Sequence, residues 1–284
     1  MREPDAIAVV QPGWRRVHLS GLTLVGGSLV LLWVLVALFA PLLAPHDPDS
    51  TNLGALLKPP LTPGHLLGTD QLGRDVLSRI IYGTRVDLSM GLIGVMAPFT
   101  IGIALGVISG YVGVKLDTLL MRLVDVALAF PFLVLVLAIL AVRGPGLGNY
   151  YIALAIVAWV PYARMVRAET LVLKRSEFVE AARLLGFSGA YVMRKHVLPN
   201  AVTPAAVFVI TDIVLTILLG SGLSFFGLGA QPPTAEWGRM IAEGQAFLAT
   251  SWWISVLPGI ALLLLTLGFA LLGDGIAKEM RVRT

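Results

Sequence analysis

Long apolar runs divided by short polar ones set the pattern of this chain. Stretches without charge cover Leu19 to Leu43, Leu88 to Val114, Val126 to Val142, Gly144 to Ala163 and Gly244 to Gly273, and Ala201 to Ala230 holds a single Asp212. About 20 helical residues at 1.5 Å each cross the roughly 30 Å of bilayer hydrocarbon, so the pattern predicts six membrane helices. The third is only just long enough unless it borrows residues before Asp125. Between the first and second runs, Pro45, Pro48, Pro59, Pro60 and Pro63 predict an irregular loop. From Gln71 to Tyr82 the pattern turns helical: Leu72, Val76, Ile80 and Ile81 share a face, and Asp75 stands four residues before Arg79 in the favourable order. This predicts a short helix lying on the outer membrane surface.

Composition agrees with the pattern. Of the 284 residues, 57% are hydrophobic and 13% charged, against about 25% charged in soluble domains. The prediction is one all-α integral membrane domain. Six spans put both termini on one side. With the N-terminus in the cytoplasm, Lys58, Arg74, Arg79, Arg85, Arg143 and Arg239 lie outside, which leaves 21 − 6 = 15 basic residues inside. That orientation satisfies the positive-inside bias, and the opposite one inverts it. The bias also accounts for the net charge of +4, so nucleic acid is not needed as a partner. Arg15 and Arg16 precede the first run as in a signal peptide, but the run is too long for an h-region and lacks a small-residue cleavage site, which favours an uncleaved anchor.

Candidate chemistry is sparse. Cysteine is absent, the phosphate-loop and zinc-protease motifs are missing, and Gly144-Pro-Gly-Leu-Gly148 lacks the context of a dinucleotide fingerprint. No catalytic group is assigned. His18, His46, His65 and His196 have no ligand spacing and fall on both sides of the membrane, so no metal site is expected. Gly102, Gly106 and Gly110 recur every four residues and predict a stripe where another helix backbone approaches closely, although glycine is common in membrane helices generally. Pro98, Pro131 and Pro258 fall inside spans, where proline can kink a helix. Asp212, about ten residues into the fifth span, is a candidate for lining a substrate path. Asp125 is a second candidate, but with Arg122 three residues away the larger share goes to a structural ion pair.

One polar segment is rich in information. Ser176 can cap a helix whose first turn carries Glu177 and Glu180, Phe178, Ala181, Ala182 and Leu185 line one face, and Gly186 can close it in the left-handed conformation. So narrow a face can enter a groove on another protein, or the helix can lie on lipid headgroups; three turns with few large apolar side chains put docking slightly ahead.

The motif Glu180-Ala-Ala-Arg-Leu-Leu-Gly186, with His196-Val-Leu-Pro-Asn200 after it, resembles the EAA loop of bacterial ABC importer permeases. Further blocks resemble the C-type permease of the peptide and nickel importer branch: Gly68-Thr-Asp-Gln-Leu-Gly-Arg-Asp-Val-Leu-Ser-Arg79, Met121-Arg-Leu-Val-Asp125 with Phe130-Pro131, Phe225-Phe-Gly-Leu-Gly229 with Pro232-Pro-Thr-Ala-Glu-Trp-Gly238, and Leu271-Leu-Gly-Asp-Gly275.

The resemblance implies a type I importer permease fold in a bacterial inner membrane. Its divisions would be a cytoplasmic tail (1–18), a first span (19–43), an external loop (44–85), a permease domain (86–275, with the EAA loop at 177–200) and a second cytoplasmic tail (276–284). It further implies a homologous second permease, two ATPase subunits that carry ATP and magnesium, and an extracytoplasmic binding protein. In this reading Phe178, Glu180, Ala181, Ala182, Gly186, His196, Leu198 and Pro199 couple the chain to an ATPase, and the chain itself needs no cofactor. Peptide is the favoured cargo, with nickel or another small solute as alternative. A stand-alone secondary transporter would instead use Asp212 for ion coupling and usually carry an internal repeat of its spans, which this sequence does not display.

Overall fold

The computed structural model describes residues 20–281. The tail 1–18, with Arg15, Arg16 and His18, lies outside the described residues, as do 282–284. Among the described residues every regular element is a helix. Helix α1 (Gly21–Leu38) starts where the Ser20 hydroxyl accepts the Thr23 N–H, and α2 (Ala40–Leu43) follows with proline in its first turn. After a loop with one 3-10 turn come α3 (Val76–Val112), α4 (Val114–Leu128), α5 (Phe132–Arg143), α6 (Leu147–Val157) and α7 (Val160–Leu173). A chain of short helices is next: α8 (Glu177–Leu184), α9 (Gly189–Val192), a π turn (Met193–Val197) and α10 (Leu198–Ala201). Helices α11 (Thr203–Phe225), α12 (Trp237–Gly244) and α13 (Trp253–Arg281) complete the fold.

Five stretches are long and apolar enough to cross a membrane, and α4 with α5 makes a sixth, bent by 81°. The bend divides the single third span expected from Val126 to Val142 at Pro131, the proline that marked a possible kink. Pro131 offers no N–H to continue α4, so α5 begins afresh behind it. The fourth span runs further than expected, from Leu147 to Leu173, because Pro161 sits in the first turn of α7, where its missing N–H has no helical partner to lose. The sixth starts at Trp253 rather than Gly244. The residues before it belong to α12 and a following 3-10 turn.

The expected surface helix is not a separate element. Asp75 caps α3 by accepting the Ser78 N–H, and the helix runs without interruption from Val76 through the second span, about 55 Å in all. Asp75 therefore does not pair with Arg79. The Arg79 guanidinium, buried near the N-terminal end of α3, instead faces Asp70, Glu243 and Asp49 at 3.7–3.8 Å. Arg74 joins the same cluster, 2.6 Å from Asp70 and 2.8 Å from Glu243. Asp70 also accepts the backbone N–H groups of Leu72 and Arg74, and the Trp253 indole donates to the Thr69 carbonyl. Buried charge is tolerable only with such multiple pairing, and here it locks the loop onto α12 and α13.

Helix α3 is the axle of the bundle. Its N-terminal half packs with α11, α12 and α13 around Val76, Ile80, Ile217, Trp237 and Leu265. Its C-terminal half meets α7, where a side chain at Gly106 would come within 2.7 Å of the Ala163 carbonyl oxygen and 2.9 Å of the Val166 side chain. Gly102 and Gly110 lie against α7 in the same register. The first and last spans also meet backbone to backbone: at Gly26 a Cβ would collide with the Leu272 nitrogen. Glu279 ties their ends together by accepting the Ser20 N–H and the Thr23 hydroxyl at 2.7 and 2.8 Å.

Candidate functional site

The segment from α8 to α10 is held by its back and free on its front. Val179 and Ala182, three residues apart, are buried against Val107, Tyr162, Val166, Val192 and Val197. Ala182 is thus part of the chain's own core. The predicted face of Phe178, Ala181, Ala182 and Leu185 divides at that residue, with Phe178, Ala181 and Leu185 turned outward and Glu180 exposed beside them. Ser176 stands at the N-cap position, but its hydroxyl donates to the Leu173 carbonyl at 2.6 Å and leaves α8 without a side-chain cap. Glu177 and Glu180 supply the negative charge that this end of a helix favours.

At the other end Gly186 has φ +85°. Its N–H bonds the Arg183 carbonyl at 2.9 Å, and the Phe187 N–H reaches back to Ala182 at 3.3 Å. These two bonds make a Schellman closure, which needs a left-handed residue at that position. The chain then re-enters helix at α9, where the Ser188 hydroxyl accepts the Tyr191 N–H at 3.3 Å. His196 lies in the π turn, Leu198 is half-buried in the same core, and Pro199 is exposed in the first turn of α10.

Together these turns bring four rings to one surface. Phe187 stacks on Tyr191 with centroids 4.8 Å apart, Tyr191 meets His196 edge-on at 6.0 Å, and Phe178 lies 6.5 Å from His196. Leu184 and Leu185, 85% and 77% exposed, extend this front. Beside it a cleft of about 720 Å³ opens between Tyr191, Arg194, Lys195 and Pro199. Phe187, Tyr191 and Leu184 were not singled out from sequence. Two aromatics four residues apart in an otherwise charged stretch were the available signal.

The segment is also tied to the ends of the spans. Lys174 and Arg183 hold their cationic groups 5.6 and 5.5 Å from the Tyr111 ring at the end of α3, and the Lys174 ammonium donates to the Tyr111 carbonyl at 2.6 Å. Arg167 on α7 makes two bonds to Asp117 on α4, which also accepts the Ser109 hydroxyl of α3.

Asp212 lies on α11 and accepts the Tyr162 hydroxyl at 2.7 Å, while the Tyr162 ring is wedged edge-on between Phe99 and Phe208. It borders an apolar cleft of about 350 Å³ formed with Phe132, Pro161, Phe208 and Leu215. Asp125 is elsewhere, exposed on α4 in a polar cleft with Asp117, Arg122 and Arg167. The two candidate path residues do not share a cavity. Among the described residues no ion pair joins Arg122 and Asp125, so the expected structural pairing is not formed; the arginine that makes an ion pair in this cleft is Arg167, with Asp117.

Residues 102–282 match the family model of the binding-protein-dependent transport system inner membrane component, and residues 11–60 match that of the N-terminal transmembrane domain of oligopeptide transport permease C. The chain belongs to this permease family. Similar proteins include a di/tripeptide transport system permease of Pseudomonas aeruginosa, 43% identical over 261 residues that cover 90% of this chain and 86% of the relative. A probable D,D-dipeptide transport system permease of Escherichia coli is 40% identical over 257 residues, with the same coverage, 90% and 86%. A glutathione transport system permease of Pectobacterium atrosepticum is 38% identical over 267 residues, covering 94% and 89%. Among solved structures, the MetNI methionine ABC transporter in an inward-facing form has a chain of like fold, with TM-score 0.56, 21% identity, and coverage of 70% of this chain and 95% of that one.

As an ABC importer permease the protein is a multi-pass inner membrane subunit, of a family whose members are not themselves catalytic. The blocks read from sequence take distinct places in this permease. Glu180 to Gly186 is α8 with its closure, Gly68 to Arg79 is the ion-locked loop at the head of α3, and Leu271 to Gly275 lies where α13 packs on α1. In the block before the last span, Glu236 caps α12 by accepting the Gly238 and Arg239 N–H groups at 2.7 and 2.8 Å. Burial pushes its carboxyl above the ordinary range.

Proposed function

We propose that this permease imports short peptides, and that the segment 177–200 couples it to ATPase subunits on the cytoplasmic side. The observation that carries the coupling is the exposed aromatic and leucine front of α8 and α9 on a back packed into the permease's own core. Such a front suits a groove on a partner, and its attachment to Tyr111 and Lys174 passes displacement to α3 and α7. The chain pairs with a homologous permease, and the path runs between them beside Asp212. ATP and magnesium sit on two partner ATPases, both termini face the cytoplasm, and a binding protein delivers cargo to the opposite face. Coupling requires that the contacts of 177–200 differ between inward- and outward-open states, because equal contacts shift no equilibrium.

The peptide cargo is argued from relatives whose names specify D,D-dipeptides, di/tripeptides and glutathione. The test is affinity purification of the tagged chain co-expressed with its neighbouring permease, ATPase and binding protein, followed by uptake of a labelled dipeptide into proteoliposomes. Leu184→Glu with Phe187→Glu should release the ATPases and keep the second permease. Recovery of no ATPase with the unmodified chain defeats the coupling assignment, and ATP-driven uptake of nickel without dipeptide uptake defeats the cargo.

A further inference from the structure

Apart from the coupling segment and the membrane cleft, three side chains converge at the head of α3. His46 follows α2, His65 comes from the middle of the loop, and Asp75 caps α3. Separations of 19 and 10 residues give no recognisable ligand spacing, which is why the sequence argued against any metal site. In the folded chain one ligand atom from each lies within 4.8 Å of the others.

The geometry is close to a coordination shell. The Nδ1 atoms of His65 and His46 stand 2.9 and 3.9 Å from the same oxygen of Asp75, Oδ1. In a tetrahedral site with bonds of about 2.0–2.1 Å, neighbouring ligand atoms lie roughly 3.3 Å apart, between those two values. A single hydrogen bond accounts for His65. It does not account for His46, whose nitrogen is beyond bonding distance of the carboxylate and whose ring lies 4.8 Å from that of His65, inclined by 30°.

The carboxylate is also held as a ligand would be. Asp75 is buried, and its other oxygen, Oδ2, takes both the N–H and the hydroxyl of Ser78 at 2.8 Å. The Ser78 hydroxyl in turn accepts the backbone N–H of His46 at 3.0 Å, so one serine holds the carboxylate and pins the backbone that carries the second imidazole. Outer bonds of this kind fix the direction of metal ligands.

We propose that His46, His65 and Asp75 bind one divalent transition-metal ion, with its remaining positions open to solvent past the exposed His46 ring. Two imidazoles and one carboxylate select zinc, nickel or copper(II) over calcium or magnesium, which prefer all-oxygen shells. The ion would join the start and middle of the loop to the first turn of α3. The cap on α3 does not depend on it, because Oδ2 makes the capping bond.

The full-length chain, purified through a tag without histidine and stripped with chelator, is titrated with cobalt(II) as a spectroscopic reporter and with zinc in competition. The expected result is one saturable equivalent with an intense low-symmetry visible band that zinc abolishes. His46→Ala and His65→Ala should each weaken binding at least about tenfold. Asp75→Asn should do the same with the helix intact, since asparagine caps as well as aspartate. Equal cobalt binding by the unmodified chain and the His46→Ala, His65→Ala double variant overturns the proposal. His46 is exposed and outside every helix, so its replacement tests the site without testing the fold.

Discussion

Gly186 separates a conformational role from a steric one. Its φ of +85° lies in the left-handed region, yet a Cβ built there meets nothing within 4 Å. Within the permease, substitution is therefore penalised by backbone strain alone. For an ordinary L residue that strain is about 1–2 kcal/mol, which lowers the ratio of closed to open turn roughly 5- to 30-fold. Asparagine visits this region readily and should escape most of the penalty, whereas β-branched valine should bear more of it than alanine. The assay is ATP hydrolysed per dipeptide imported by the complete transporter in proteoliposomes. Coupling should rank Gly186 and Gly186→Asn together, then Gly186→Ala, then Gly186→Val, with comparable amounts of assembled complex. Asparagine is larger than alanine, so ranking by size reverses their order. If Gly186→Ala couples better than Gly186→Asn, the closure of α8 is not what Gly186 provides and the reasoning fails.

Two further outcomes test the packing and the buried carboxyl. Gly106→Leu must force α3 from α7, because its Cβ alone would sit 2.7 Å from the Ala163 oxygen; a loss of about 1–3 kcal/mol should appear as a lowered midpoint in detergent thermal unfolding. Gly148→Ala, with nothing within 4 Å, should leave that midpoint in place, and equal effects would contradict the contact. For Glu236, raised by burial, the folded chain holds a proton that the unfolded chain has released once pH exceeds the ordinary carboxyl value. Its contribution is then complete below that value and is lost as pH rises towards the folded one. As pH rises above the ordinary carboxyl value, unfolding midpoints should fall more steeply for the unmodified chain than for Glu236→Gln, and parallel profiles would remove Glu236 as the cause.

What could be read from sequence follows from which forces are local. Bilayer thickness imposes span length directly, so the apolar runs located six membrane segments, with the ends of the first and fifth within about five residues and at least one end of each of the others displaced by about seven to twelve. A left-handed closure favours glycine, so Gly186 was legible, and close backbone approach needs a bare stripe, so Gly102, Gly106 and Gly110 were too. The failures involve partners distant in sequence. Pro131 marked a possible kink within Val126 to Val142, but nothing local distinguishes it from Pro98 and Pro258, which lie inside continuous helices, or gives the 81° turn. Arg79 had an aspartate four residues before it, but Asp70 and Glu243 were better placed in space. Ala182 reads as surface on α8 until the core of α7 and α10 is laid behind it. His46 and His65 meet through a proline-rich loop with no period to read.

Helix α3 has a mechanical consequence that its packing alone does not convey. It begins in the ion-locked loop and ends at Tyr111, under the cations of Lys174 and Arg183, so one continuous helix runs from one face of the membrane to the other. Pro98, within it, removes one backbone bond and marks the compliant point about 33 Å from Val76. Tyr111 lies about 20 Å beyond, so a change of about 10° at Pro98 swings it by roughly 3 Å. That displacement is comparable to the spacing between neighbouring side chains in a docking groove. Gly102, Gly106 and Gly110 all lie beyond Pro98 and hold α3 against α7, so such a stroke would carry α7 with it.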